Sequence, residues 1–558
     1  MGTGTGKQQG TRASALRRSG SKCAALAAAT LLVALAVGVD AAAAKQPAAP
    51  AVVYTPGSLL ARAAANPSKQ FKVIVSTTSR RWQNLVARWA DQNGKVKDRL
   101  DLINGISVNL PGSAIVSATQ HPSWFGDISI TDDTTVSLAG QAGPSNWQAS
   151  VAAAKLWSHA ARTCALDALT GLPVDPLCSP LAAYVAPQAP AIAVVDSGID
   201  STKAADFGAR IVARADFAND GKTGDAEGHG TMVAGVAAGA ANSTSGGGVA
   251  QNAPLVDVRV ADGEGKARTS DVIAGLDWIL EHKAQYGIRV VNMSLAGNVE
   301  ASFRFDPLDQ AVEKLWLNGL VVVAAAGNNG SADGPVPMSA PGNDPFVITV
   351  GALDTEGTPA PADDTRAPWS AYGYTADGFM KPELSAPGRF IVSPIPDGAY
   401  LLKEKPERAV GAGYMWMSGT SFSAPAAAGT AAQLLALHPD WTPDQVKGAL
   451  MAGATSLGAE PGVGIGELDA AASSTIVSPP NPNENLDAFV QTDSATGLQV
   501  FSAANWTNAV ATSGNWTSAN WTSANWTSAN WTSANWTSAN WTSANWTSAN
   551  WTSANWVS

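Results

Sequence analysis

Ala191-Ile192-Ala193-Val194-Val195-Asp196-Ser197-Gly198 is an unbroken apolar run that ends on a carboxylate and then on a turn. Five apolar residues in a row leave no face for water, so the run reads as a strand covered on both sides, the kind a parallel sheet requires. Runs of the same type recur at Leu255 to Val260, Arg289 to Met293, Leu320 to Ala325 and Phe346 to Val350. Helical spacing fills the gaps between them, as at Ser270 to Gln285 and Pro307 to Asn318. From about Asn146 to Ile476 this alternation predicts an α/β domain with a doubly wound, mainly parallel sheet. In such a sheet the functional residues lie at the carboxyl ends of the strands, which is where Asp196 stands.

The whole chain has 558 residues, 45% hydrophobic and only 14% charged. That is enough for several cores, and it excludes both a disulfide-held mini-protein and a charge-rich disordered chain. A formal charge of −10 argues against a nucleic-acid partner, whose phosphates a binder must neutralise. At the N-terminus, Arg12, Arg17, Arg18 and Lys22 precede an apolar stretch from about Ala24 to Val39 that closes on Ala41 to Ala44. Residues 1–44 therefore read as an export signal, with a retained anchor as the alternative, and no membrane span is expected in the mature chain. Once the signal is removed, Cys164 and Cys178 are left, a candidate disulfide in an oxidising compartment or else two free thiols.

Residues 45–144 form a second unit, a spacer followed by a small α+β module. Phe71 to Ser76 alternates like a strand, Arg80 to Gln92 has helical spacing, and Ile103 to Val108 and Gly126 to Ile130 are further strand-like runs around Gly112 to Gln120. Its net charge is +4, against −18 for everything from residue 145 onward. A basic module ahead of a strongly acidic one is charged as a piece meant to dock on the rest.

Three blocks carry candidate chemistry. Asp196 needs a partner, because a carboxylate buried alone is costly. His229 stands in Gly228-His229-Gly230-Thr231-Met232-Val233-Ala234-Gly235, where small neighbours let other chain approach closely. Ser421 stands in Ser418-Gly419-Thr420-Ser421-Phe422-Ser423-Ala424-Pro425, at the start of an Ala-rich helix whose free N–H groups suit a developing oxyanion. Singly, each has an ordinary structural reading: a strand-end acid, a packed histidine, a helix cap.

Together, with a fourth block Ala324-Ala325-Ala326-Gly327-Asn328-Asn329-Gly330, they resemble the subtilisin-like serine peptidases over about 330 residues. The resemblance implies a secreted serine endopeptidase with Ser421 as nucleophile, His229 as base, Asp196 orienting the imidazole, and Asn328 beside the Ser421 N–H as oxyanion donors. It further implies that Ser294, Leu295, Ala296 and Gly297 pair with an extended peptide substrate, with Gly263 and Gly265 on its other side. Ala296 stands where the family usually has Gly. No cofactor is required; structural calcium is common in relatives, but no Asp-x-Asp-x-Asp loop is found here, so no metal ligand is assigned. The module at about 53–138 resembles the family's inhibitory propeptide, which implies a self-processing zymogen cut near Ser137 to Gly143. A non-inhibitory adaptor is the rival reading.

Pro479-Pro480-Asn481-Pro482 marks residues 477–504 as a linker, and residues 505–558 form a tail with eight identical copies of Asn-Trp-Thr-Ser-Ala between Asn515 and Ala554. A five-residue period gives neither a strand nor a helix a single apolar face, so the tail reads as extended chain or as a solenoid. Its indoles suit stacking on sugars, which suggests attachment to cell-surface carbohydrate. The competing function is that of a catalytically silent surface or adhesion protein acting through these repeats. Intact blocks around all four catalytic positions weigh against it, since folding alone does not require them.

Overall fold

The computed structural model describes residues 53–121, 127–133, 135–137, 147–153, 189–297, 300–331, 334–458 and 460–512, with short strand pieces in the repeat. The export segment, the expected cleavage region Ser137 to Gly143 beyond Ser137 itself, and the stretch holding Cys164 and Cys178 lie outside the described residues.

The large sheet has eight strands. Across it run Ile211–Asp216, Leu255–Arg259, Ala191–Asp196, Ile288–Met293, Val321–Ala325 and Ile348–Asp354, all parallel, with Leu384–Pro387 parallel and Thr365–Arg366 antiparallel to the last. The aspartate strand is first in sequence but central in space, so connections leave it in both directions, and Asp196 and Ser294 sit at that switch point. The expected strands are all present. The edge strand Ile211–Asp216 escaped the sequence reading because its residues alternate between half-buried and exposed, unlike the apolar inner strands.

Two helices built from small residues pack on each other and against the sheet, His229–Ala238 and Thr420–Leu437. Their approach is close: a Cβ on Gly429 would stand 2.7 Å from the Ala237 carbonyl oxygen. The helices Thr269–Tyr286 and Pro307–Leu317 form a second pair. Asp306 caps the latter by accepting from the N–H groups of Leu308 and Asp309, with Pro307 in the first turn, where a missing donor costs nothing.

The N-terminal module is a five-stranded sheet ordered Val53–Tyr54, Ile128–Asp132, Gln70–Thr77, Gly105–Pro111, Lys95–Leu100. Helices Gly57–Ala65, Arg80–Asn93 and Gly112–Gln120 complete it, around a core that includes Val73, Val75, Val86, Ile106, Val108 and Ile130. Lys95–Leu100 was not foreseen. Its sequence, Lys-Val-Lys-Asp-Arg-Leu, is that of an edge strand whose charges block further pairing.

The stretch read as a linker, 477–504, holds the hairpin Val490–Thr492 with Gln499–Phe501, and the helix Ala503–Thr512 follows. Both pack on the large domain. The Asn318 side chain pairs with the backbone of Gln499 through both its oxygen and its nitrogen, Phe501 stands edge-on to Phe346, and the buried Trp506 packs edge-on to Phe303 under the Arg304 guanidinium. Composition marked this stretch by its prolines and missed its aromatic anchor Phe501, while Trp506 was counted with the tail. In the repeat itself, Thr522–Trp526 pairs antiparallel with Ala529–Thr532. Among the described residues no helix is long and apolar enough to cross a membrane.

Candidate active site

Asp196 ends the central strand fully buried, and its Oδ1 accepts two hydrogen bonds, from the Ser197 N–H at 2.8 Å and from His229 Nδ1 at 2.8 Å. With Nδ1 donating, the proton of a neutral imidazole is on that side and Nε2 is left as the acceptor. Nε2 is buried and has no hydrogen-bond partner among the described residues. The close approach needs Gly230, where a Cβ would lie 2.2 Å from the Gly198 carbonyl oxygen.

His229 opens its helix, whose free N–H groups are met by two carboxylates. Asp225 accepts from the N–H groups of Gly228 and Thr231, and Glu227 from that of His229 itself. Burial alone would push the imidazole pKa down, but the charge of Asp196, its hydrogen bond, and the charges of Glu227 and Asp225 outweigh burial, so the pKa is raised. The sign of the consequence is plain. A base works only when unprotonated, so its function is present above the raised pKa and is lost as pH falls through it.

Ser421 lies in the first turn of Thr420–Leu437, 2% exposed, and the ring of the next residue, Phe422, is 5.3 Å from the His229 ring. Its hydroxyl donates to the Ser294 carbonyl at 3.1 Å, while the Ser294 hydroxyl donates to the Ser421 carbonyl at 2.7 Å. No bond from Oγ to Nε2 is formed in this resting arrangement; in unliganded enzymes such bonds are often unmade until substrate arrives. Asn328 is fixed by Thr420, whose N–H and hydroxyl both donate to its Oδ1, at 2.9 and 3.2 Å. With the oxygen so tied, the amide NH2 is the end left to donate elsewhere.

The expected substrate-binding residues divide. Ser294 touches Ser421 directly, and Leu295 is buried. Gly297 is already committed, its N–H to the Ala340 carbonyl and its own carbonyl to Ser339 Oγ. Gly263 and Gly265 form a turn in which their N–H groups bond to Asp220 and to the Asp262 carbonyl. The edge that pairs with extended chain is the neighbouring strand Lys266–Arg268, which takes Thr135–Ser137 of the N-terminal module in antiparallel register, Ser137 opposite Lys266. Three residues alternating charged, apolar, charged were too short a signal to find that edge.

The module is held elsewhere as well. Ile74, Leu100, Leu102 and Ile103 join the apolar core of the large domain. Asp133 accepts from the N–H and hydroxyl of Ser270, capping the helix Thr269–Tyr286 from outside the domain. Tyr54 stacks on Phe305 with ring centres 4.3 Å apart, and Lys97 pairs with Asp271 at 3.1 Å. The opposite net charges of the two units suit their encounter, but the contact itself is mostly apolar packing and capping.

Comparison with known proteins bears on this geometry. The subtilase family model matches residues 188–472, half of the chain. The chain belongs to the subtilase family. It is 39% identical to the serine protease AprX of Bacillus subtilis over 274 residues, 47% of this chain and 60% of AprX. It is 32% identical to subtilisin DY of Bacillus licheniformis, over 48% of this chain and 84% of that protein. The chain thus spans about three fifths of AprX and most of subtilisin DY. The crystal structure of fervidolysin from Fervidobacterium pennivorans, a keratinolytic enzyme related to subtilisin, shares the fold of this subtilase with a TM-score of 0.54 at 22% identity, over 74% of this chain and 62% of that one. Among the described residues, no group of three or more His, Cys, Asp or Glu side chains is arranged to hold a metal ion.

Proposed function

We propose that this subtilase is a secreted serine endopeptidase made as a self-processing zymogen. The observation that supports it most is the Asp196–His229 hydrogen bond with a buried Nε2 lone pair free beside the helix that carries Ser421. In the acylation step, Ser421 Oγ forms a bond to the peptide carbonyl carbon as its proton passes to His229 Nε2, while Asp196 stabilises the imidazolium. The negative charge moves to the carbonyl oxygen, where Asn328 Nδ2 and the Ser421 N–H donate to it. Collapse breaks the C–N bond, and the leaving amine takes the proton from Nε2. Water then repeats the sequence on the acyl-enzyme and releases Ser421.

Asn328→Ala is expected to lower kcat by about 10² to 10³, a range established for the same donor in a subtilisin, with KM nearly unchanged. Steady-state kinetics on a chromogenic peptide check this; an unchanged kcat removes Asn328 from the oxyanion site.

The N-terminal module is the inhibitory propeptide in this reading. Its strand Thr135–Ser137 lies on Lys266–Arg268 as a substrate strand would, running toward the Gly263–Gly265 turn. Asp133→Ala removes the cap on Thr269–Tyr286 at a cost of about 0.5–2 kcal/mol, so inhibition by the cleaved module is expected to weaken by about 2- to 30-fold. Measuring the inhibition constant of the processed complex tests it, and an unaltered constant removes Asp133 from the seat. Surface attachment through the Trp repeats is tested by truncating at Pro479; a chain that stays equally surface-bound excludes it.

A further inference from the structure

His229 is held at two places, and only one of them has a part in the chemistry above. Asp196 fixes the ring; Glu227 fixes the backbone, its Oε2 accepting from the His229 N–H at 2.6 Å. Glu227 is 4% exposed and is two residues from the imidazole it supports. From the central strand end, Ser197 Oγ stands 3.4 Å from Oε2, donates to Asp225 at 2.8 Å and accepts from the Gly230 N–H, so Asp225 and Glu227 converge on one hydroxyl and one helix start. From the turn across the site, Gly265 leaves room for the carboxylate: a Cβ there would lie 3.1 Å from Oε1. The charged neighbours on that turn, Glu264 and Lys266, pair with each other at 2.6 Å. From the segment after Tyr400–Glu404, Lys405 is the nearby cation, and among the described residues it forms no ion pair with Glu227.

A buried carboxylate without a contacting cation needs a positive group within reach of its field. The one the reaction itself creates is the imidazolium of His229. We propose that Glu227 is a positioning residue for His229, holding the histidine by its backbone amide and stabilising, through its charge, the imidazolium that forms when Ser421 gives up its proton. Glu227 gains and loses no proton in that step. The proposal rests on the serine-peptidase reading. Burial pushes the Glu227 carboxyl up to about 7, so its charge is present above that pH and is lost as pH falls through it.

Glu227→Gln keeps the acceptor oxygen and removes the charge. It is expected to move the acid limb of kcat/KM down by about one pH unit and to lower kcat by about tenfold with KM unchanged, whereas Glu227→Asp keeps the limb near its wild-type position. A role confined to packing would leave the limb where it is, and that result overturns the proposal. Should Glu227→Gln not accumulate as folded chain, the wild type decides. Its acid limb is expected to fall in two steps, a loss of about tenfold as Glu227 takes up its proton and a fall of unit slope as His229 does, and a limb described by a single protonation overturns the proposal. Titration of the His229 ring by NMR in the full chain carrying Ser421→Ala, with and without Glu227→Gln, reads the same field without turnover. If the wild type hydrolyses no peptide, the peptidase reading fails, while an unshifted ring titration is what ends the role of Glu227.

Discussion

Ser421→Ala is expected to reduce peptide hydrolysis by about 10⁶-fold in kcat, the size of loss found when a subtilisin loses its serine. The reason lies in what remains. His229 keeps Asp196 and its Nε2 lone pair, but the atom that would have formed the acyl bond is gone, and only binding and the oxyanion donors still favour reaction. The same variant is expected to keep its N-terminal module covalently attached. Intact mass and N-terminal sequencing of the exported chain read both effects: wild type should begin near Ser137 to Gly143, and Ser421→Ala near the end of the export signal. If both chains keep the module, or both lose it at the same bond, self-processing is excluded, and in the second case another protease is responsible. If hydrolysis itself is unaffected, Ser421 is not the nucleophile; if the wild type hydrolyses no peptide, the adhesive, catalytically silent reading gains ground.

Asp196→Asn is expected to cost about 10⁴ in kcat with little change in KM, a magnitude established for the corresponding change in a serine protease of another fold. Asp196 Oδ1 accepts from both the Ser197 N–H and His229 Nδ1. An asparagine that keeps its oxygen at the Oδ1 position retains both hydrogen bonds but loses the charge that stabilises the imidazolium, whereas one that presents its NH2 there makes the imidazole accept at Nδ1 and carry its proton at Nε2. That proton faces Ser421 and prevents His229 from acting as a base. Measuring kcat over a pH range, with the ring nitrogens followed by NMR, tests the tautomer directly. A variant that retains wild-type kcat would show that Asp196 only fills space at the strand end.

The site was legible in sequence to different depths for different residues. Asp196, His229 and Ser421 stood out as candidates because each sits in a block where glycine and small residues serve close backbone approach, and the structure shows why at Gly230, which has no room for a side chain against Gly198. Asn328 was found by resemblance, whereas its fixing by Thr420 is a contact between residues 92 apart. Glu227 was passed over, because a glutamate near a glycine-rich turn reads as ordinary surface until burial is known. Gly297 was assigned to substrate from its motif, yet its backbone groups are taken by Ser339 and Ala340, which only a folded chain brings alongside. The hairpin and helix after residue 489 were likewise invisible to a reading of prolines.

By itself the sequence determined the α/β class, the order of the inner strands along the chain and the candidates for the reactive side chains. Those depend on local information: continuous apolar runs need cover on both faces, helical spacing needs one apolar stripe, and rare residue types stand in glycine-bearing turns. The tertiary structure decided which of those side chains meet. It placed the first strand at the centre of the sheet, set Asp196 2.8 Å from a histidine 33 residues away, and laid a strand of the N-terminal module on Lys266–Arg268. It also decided which carboxylates are out of water, and therefore which of them act on the imidazole. Such long-range pairings follow from the packing of whole elements and from the dielectric they create, neither of which is written in any stretch of chain short enough to be read alone.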